Sequence, residues 1–512
     1  MLSLAFSAAM LGIDGYVVRV QADTSPGSPH FTIIGLPDRA LKEANHRVRS
    51  AIWNSGFMHP PGHVLVNLSP ADVRKEGPSF DLPIALALLG IEEQLDRLAL
   101  QNVVAFGELM LDGKVRGVDG MLPMVLGARA AGFTQLILPE ANAAEAALVD
   151  GVEIYAVDSL QSAVAVLMGH GAKWRYTRRT VASNHCDSTH GDFCDVRGQY
   201  GAKRALEIAA AGGHNLLFVG PPGCGKTMLA RRLPSILPPM SADEALDVTK
   251  IYSVAGLLRG ETGIVRARPF RAPHHTISQT ALVGGGGTVV KPGEISLAHH
   301  GVLFLDELPE FSRSSIEVMR QPLEEGAVTI ARAIGTFTYP SRFMLVASMN
   351  PCPCGYRGTR TAECRCDDAA VAKYVSKLSG PLLDRIDLQI EISRVPFDEM
   401  VRDDRAERSA SIRERVVAAR ERQQQRFTGI PIGCNAQIPG NAVRKYCALG
   451  PDAVELLKHA ASKRQFSARA LDRIARAART IADLANADEI AAEHVAEAIN
   501  YRSLERLDSR AA

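Results

Sequence analysis

Gly220-Pro221-Pro222-Gly223-Cys224-Gly225-Lys226-Thr227 constrains this chain more than any other stretch, because it completes the pattern G-x-x-x-x-G-K-[ST]. The apolar run Leu216–Val219 before it reads as a buried strand, and Met228–Leu233 after it reads as a helix. Strand, glycine loop and helix in this order belong to an α/β fold with a parallel sheet. The glycines let backbone N–H groups wrap a β-phosphate, and the new helix N-terminus adds its positive end. Lys226 is expected at the β- and γ-phosphates and the Thr227 hydroxyl on Mg²⁺. An ordinary Gly/Pro turn would explain the residues but not their flanks. A nucleoside triphosphate, ATP, is the expected ligand.

Hydrolysis needs carboxylates at the same sheet end. Gly301–Leu305 is continuously apolar, as in a strand covered on both faces, and it ends in Asp306 and Glu307. Asp306 is expected to hold Mg²⁺ through water and Glu307 to polarise the attacking water. A second apolar run, Phe343–Met349, ends at Asn350, whose amide can orient that water. Arg385 closes Leu382-Leu383-Asp384, where a finger could reach a neighbouring subunit's γ-phosphate. Arg469 opens a C-terminal helical stretch, placed to touch its own subunit's nucleotide. Either arginine alone would read as a solvated helix face. Loop, carboxylate pair, Asn, Arg and helical Arg in succession resemble the AAA+ ATPases, in the branch with magnesium-chelatase and MCM-helicase subunits.

Longer motifs sharpen the resemblance. Ala272-Pro273-His274-His275-Thr276, Gly293–His299, Phe304–Phe311 and Asn350-Pro351-Cys352-Pro353-Cys354-Gly355 resemble the ComM (YifB) magnesium-chelatase-like family. Gly35–Asp38 and Val66–Asp72 extend it upstream, so the similarity covers nearly the whole chain. The resemblance implies a hexameric ring that moves along single-stranded or branched DNA and aids branch migration in natural transformation, beside a recombinase.

Composition is compatible with this but does not announce it. A net charge of +2 spreads no basic field over the chain, so any DNA site must be local. Hydrophobic residues make up 46% of the 512, enough to fill the cores of two to four domains. Met1–Phe6 is apolar but lacks a basic start and runs into the strand-like Tyr16–Ala22, which argues against a secretory signal. No apolar run approaches the roughly 20 residues of a membrane span. Nine cysteines, an odd number, argue against a disulfide framework, and a cytoplasmic location is expected.

Four regions are expected. Residues 1–168 alternate short strands and helices, 169–194 form an exposed linker, 195–397 hold the ATPase core, and 398–512 form an all-α lid. His185, Cys186, His190 and Cys194 scatter along the linker at spacings that match no compact metal site. Gly77-Pro78-Ser79 before the apolar Leu82–Leu88 resembles the nucleophile segment of Lon-type Ser-Lys proteases, as do Gly107–Gly113 and Leu136–Glu140. In that alignment Met124 takes the lysine's position, and a thioether accepts no proton. The first region is therefore expected to keep a Lon-like (S5 domain 2-like) fold without proteolysis, as a scaffold or DNA collar.

Cys352, Cys354, Cys364 and Cys366 bracket a short loop directly after Asn350 and could hold Zn²⁺ as a four-thiolate set, although CxC is a tighter spacing than CxxC. Two hairpins are candidates for gripping DNA: Arg266-Ala267-Arg268-Pro269-Phe270-Arg271 through Gly284–Gly287 to Lys291, and Glu325–Arg332 returning through Gly335–Thr338. The expected function is an ATP-driven DNA translocase. Its rival is a protein-remodelling or metal-chelatase motor subunit that ignores DNA.

Overall fold

Alternation along the first strand decides how the N-terminal region is layered. Strand β1 (Ser3–Leu11) sends Ala5 and Ala9 into one core and Ala8, Phe6 and Met10 into another. The computed structural model describes residues 2–177, 191–258, 263–286, 290–332, 335–358, 363–396, 399, 407–464 and 466–502. With β2 (Asp14–Ser25), β3 (His30–Ile34), β4 (His63–Ser69), β5 (Val103–Ala105), β6 (Gln135–Pro139) and β7 (Glu153–Val157), β1 forms a seven-stranded sheet ordered β3-β4-β2-β1-β5-β6-β7. The β1–β2 and β2–β4 pairs are antiparallel and the remaining pairs parallel. Ser3–Phe6 thus form the start of the central strand of the sheet.

Helices cover both faces of this sheet. Asp81–Ile91 is buried at every residue, so it needs no polar stripe. It packs in the core that holds Ala5 and Ala9, whereas Met121–Ala130 packs in the core that holds Ala8. The two helices therefore cover opposite faces of the sheet.

The second sheet is wholly parallel. It comprises β8 (Leu216–Val219), β9 (Phe270–Arg271), β10 (Val302–Leu305), β11 (Met344–Met349) and β12 (Leu388–Glu391), in the order β9-β10-β11-β8-β12. Strands β8, β10 and β11 are buried at every residue, which is why β8 and β10 read as unbroken apolar runs and β11 is interrupted only by Ser348. Alternate residues serve opposite layers. Leu216 and Phe218 face helix Tyr200–Gly212 and the C-terminal helices, and Leu217 and Val219 face a layer containing Ile295, Phe311 and Tyr339.

The C-terminal helices Ser409–Arg426, Pro451–Arg464, Ala468–Leu484 and Ala492–Asn500 share one core with β8 and helix Tyr200–Gly212. The two sheet units also meet. Gly120 N–H donates to Ser253 O at 3.1 Å, the buried Ser253 hydroxyl donates to Glu145 Oε1 at 2.5 Å, and Lys291 pairs with Asp119 at 3.2 Å. Met10, near the end of β1, and Ile13, in the turn after it, pack against the layer under the second sheet. The segment expected as an exposed linker is docked at both described ends: Arg175 pairs with Glu153, and Phe193 is fully buried with its N–H on Ser409 Oγ at 2.9 Å. His185, Cys186 and His190 lie outside the described residues.

Candidate active site

Parallel register places the expected groups side by side. Val219 pairs with Met349 and Leu305 with Ala347, so Gly220, Asn350 and Asp306 all emerge at the C-terminal ends of adjacent strands. The loop from Gly220 to Gly225 turns on Gly223 (φ +76°) and Gly225 (φ +94°), a left-handed backbone that residues with a Cβ rarely adopt. Lys226 closes the loop: its Nζ donates to the carbonyl oxygens of Gly220 (2.6 Å) and Pro221 (3.0 Å) and to Asn350 Oδ1 (3.1 Å). Burial lowers the Lys226 ammonium from its ordinary pKa, against the opposing pull of Cys224, Asp306 and Glu307. Burial raises the Cys224 thiol for the same reason.

The metal-type donors meet directly. Thr227 Oγ1 donates to Asp306 Oδ2 at 2.7 Å. Ser348, from β11, donates to Asp306 Oδ1 and accepts the Glu307 N–H at 3.2 Å. Glu307 itself is exposed with φ +55°, a strained position for a residue with a side chain. A hydroxyl and a carboxylate are hard oxygen donors of the kind Mg²⁺ takes, so the residues present suit that ion.

Ser348 escaped the sequence reading, although it is the one hydroxyl in an apolar strand and that mismatch could have exposed it. Two further braces escaped it too. Gln199 Nε2 donates to Cys224 O at 3.2 Å and Arg394 Nη2 to Pro222 O at 3.3 Å. Nothing local marks these two, because each reaches the loop from far along the chain.

Both arginines stand at the other end of the sheet. Arg385 O accepts from Asn215, the residue before β8, at 2.9 Å, and the Arg385 guanidinium pairs with Glu324 and Pro381 O. The four residues of β8, at about 3.3 Å each, set this end roughly 13 Å from the phosphate loop. Arg469, expected at its own chain's nucleotide, is also corrected: it is exposed, with its Nη1 3.9 Å from Asp384 Oδ2, one residue from Arg385. Its helix, Ala468–Leu484, packs against helix Tyr200–Gly212 with the basic side at the strand N-termini, where Arg473 meets Asp387. Around them Arg268, Arg342, Arg420 and Arg476 line a cleft of about 400 Å³.

The four expected metal-ligating cysteines converge, with every sulfur within 4.8 Å of the others. Backbone N–H groups of Tyr356 and then Arg365 lower the Cys354 thiol to about 6. Of the two hairpins, Ala327–Arg332 and Gly335–Pro340 pair as an antiparallel ribbon, with Thr329, Ala331, Arg332, Thr336 and Thr338 exposed.

The other candidate is partly corrected. Arg268 is taken up internally by Pro238 O, His300 O and Glu244, and Arg271 by Glu294 at 2.6 and 2.7 Å. Arg266 remains exposed, and Gly287 lies outside the described residues. His274 Nδ1 shares a hydrogen bond with Thr276 Oγ1 at 2.9 Å, so it orders its own turn.

A five-stranded parallel sheet with the phosphate loop on its central region, a carboxylate-ended neighbour and a helical C-terminal unit is the AAA+ class of P-loop fold. Comparison with known proteins agrees throughout the chain. The family model "Magnesium chelatase, subunit ChlI" matches residues 192–400, "Subunit ChlI of Mg-chelatase" matches 20–142, and "Magnesium chelatase, subunit ChlI C-terminal" matches 406–502. The Competence protein ComM of Haemophilus influenzae is 44% identical over 512 residues, covering 99% of this chain and 98% of that protein. YifB of Salmonella typhimurium, described as uncharacterized, is 44% identical over 510 residues, again 99% and 98%.

The chain belongs to the ComM/YifB family of magnesium-chelatase-like AAA+ proteins. Its N-terminal region is also similar to the Lon protease of Roseiflexus castenholzii, 32% identical over 137 residues, 25% of this chain and 17% of that protein. Among the described residues no helix is long and apolar enough to cross a membrane.

Proposed function

We propose that the protein hydrolyses ATP in a ring of its own copies and uses the cycle to move DNA. The observation that carries this reading is the division of groups between the two sheet ends, a phosphate cradle at one and arginines without a phosphate in reach at the other. Lys226 and the loop N–H groups bind the β- and γ-phosphates. Thr227 and Asp306 would hold Mg²⁺, which supplies charge neutralisation along those phosphates. Glu307 orients the attacking water and takes its proton, and Asn350 fixes that water from the adjacent strand. Arg385 and Arg469 act on the next copy's nucleotide, which assigns Arg469 in trans. A closed ring, hexameric in this reading, supplies every site with both halves.

DNA would pass the ribbon Ala327–Pro340, whose exposed threonines and Arg332 offer donors to a phosphate backbone. The name of the Haemophilus influenzae relative supports a role in competence, with branched recombination intermediates as the substrate class and a recombinase as partner. The family-model descriptions favour a second reading, a chelatase-type motor that remodels a partner protein. Steady-state ATPase with and without single-stranded and four-way-junction DNA, with Lys226→Ala as blank, separates the two. Stimulation by DNA that the blank lacks supports the translocase. Basal turnover indifferent to DNA overturns it in favour of the remodelling motor.

A further inference from the structure

Four thiols meet just after Asn350, the residue that accepts from Lys226. Cys352, two residues after Asn350, lies 3.4 Å from Cys354 and 3.7 Å from Cys364, and Cys354 lies 3.6 Å from Cys364, sulfur to sulfur. Cys366 completes the set within 4.8 Å of each. These separations exclude disulfides, whose sulfurs stand about 2.05 Å apart. They match a different object. Bonds of about 2.3 Å from a tetrahedral zinc to four thiolates set the sulfurs about 3.8 Å from one another. An iron–sulfur cluster, whose irons stand between its thiolates, would hold them farther apart.

The supporting frame also suits bound thiolates. Arg357 N–H donates to Cys352 Sγ at 3.4 Å, and Gly355 N–H donates back to Cys352 O at 3.0 Å, closing the tight turn that CxC requires. Gly355 has φ +83°, and a Cβ there would come within 2.7 Å of Pro222 Cδ in the phosphate loop. The thiol knot is thus pressed against the nucleotide cradle itself. Through Asn350 it also touches Lys226.

We propose that Cys352, Cys354, Cys364 and Cys366 bind one structural zinc ion that fastens the segment bearing Asn350 against the phosphate loop. Four protein ligands leave no open position, so the ion positions residues and performs no chemistry on substrate. The proposal stands apart from the DNA reading, since a zinc knot would serve either kind of motor.

Metal analysis of the purified full-length protein, after desalting, tests it first. One zinc per chain is expected, with four thiols titrating only after chelation in denaturant. Cobalt reconstitution should give the visible d–d bands of a tetrahedral thiolate site. A Cys364→Ser/Cys366→Ser variant should lose the metal and about tenfold or more of its ATPase rate while still binding ATP. The wild-type measurements decide the matter even if the variant misfolds. Metal-free protein with four freely titrating thiols, iron in place of zinc, or two disulfides would each overturn the proposal.

Discussion

The two ends of the five-stranded sheet are built on opposite plans. At the C-terminal strand ends, Lys226 bonds Asn350, and Thr227 and Ser348 both bond Asp306, so one chain assembles the cradle unaided. At the N-terminal ends, Arg385, Arg469, Arg473 and Arg476 meet Glu324, Asp384 and Asp387, with no phosphate-binding loop in reach. Parallel strands explain the contrast. All loops of one polarity gather on one edge, and a group in the turn that leads into β12 must sit on the other. An arginine at that far edge does not reach the phosphate loop of its own chain.

The largest test of this contrast is Arg385→Ala. Turnover by the assembled protein should fall about 10³- to 10⁵-fold, the range for a lost arginine finger, with ATP binding intact. Mixing it with Glu307→Gln subunits should restore part of the rate, because each variant supplies the half that the other lacks. A wild-type rate in the pure Arg385→Ala protein would break the contrast.

Glu307→Gln should slow hydrolysis by about 10²- to 10⁴-fold, as for loss of a general base, and again retain ATP. Here mixing with wild type should give activity in proportion to the share of wild-type subunits, because Glu307 serves its own subunit's site. Rapid-quench measurement of phosphate release reads both effects.

The arginine end should also matter for folding. Burial alone would raise the Asp387 carboxyl, but Arg473 and then the His214 contact hold it well below the usual carboxylate range. Its folded pKa lies below its unfolded one, so its contribution is complete above the ordinary carboxylate pKa and is lost as pH falls from there toward the lower folded value. Asp387→Ala should cost about 3–5 kcal/mol, because it removes the buried carboxylate that both Arg473 and His214 bond. Thermal melts from neutral to acid pH should show this deficit at neutrality and its shrinkage toward acid. An unchanged melting temperature would show that the arginine end is not needed to hold the lid.

Ser348→Ala gives the smallest effect. Losing the hydroxyl that orients Asp306 should weaken Mg²⁺ dependence by about 10- to 100-fold with little change in ATP affinity. A Mg²⁺ titration of turnover measures it.

Much of the nucleotide site is legible in short stretches of the chain. The phosphate loop, the Asp306–Glu307 strand and Asn350 carry chemistry at the ends of short apolar runs, and such runs announce buried parallel strands. The same reasoning fails for Arg469, because a helix's position in the chain does not say which sheet end it packs on. Arg268 and Arg271 read as free cations, but Glu244 and Glu294 come to them from elsewhere in the chain.

Sequence alone therefore determined the fold class, the nucleotide cradle and the four cysteines near Asn350, since each depends on residues a few positions apart, joined by local backbone geometry. Tertiary structure decided which arginines stay at the far edge, that Ser348 and Gln199 brace the cradle, and that the four sulfurs close to tetrahedral spacing. Those facts depend on strand order and side-chain packing between segments distant in the chain, which local propensity does not encode.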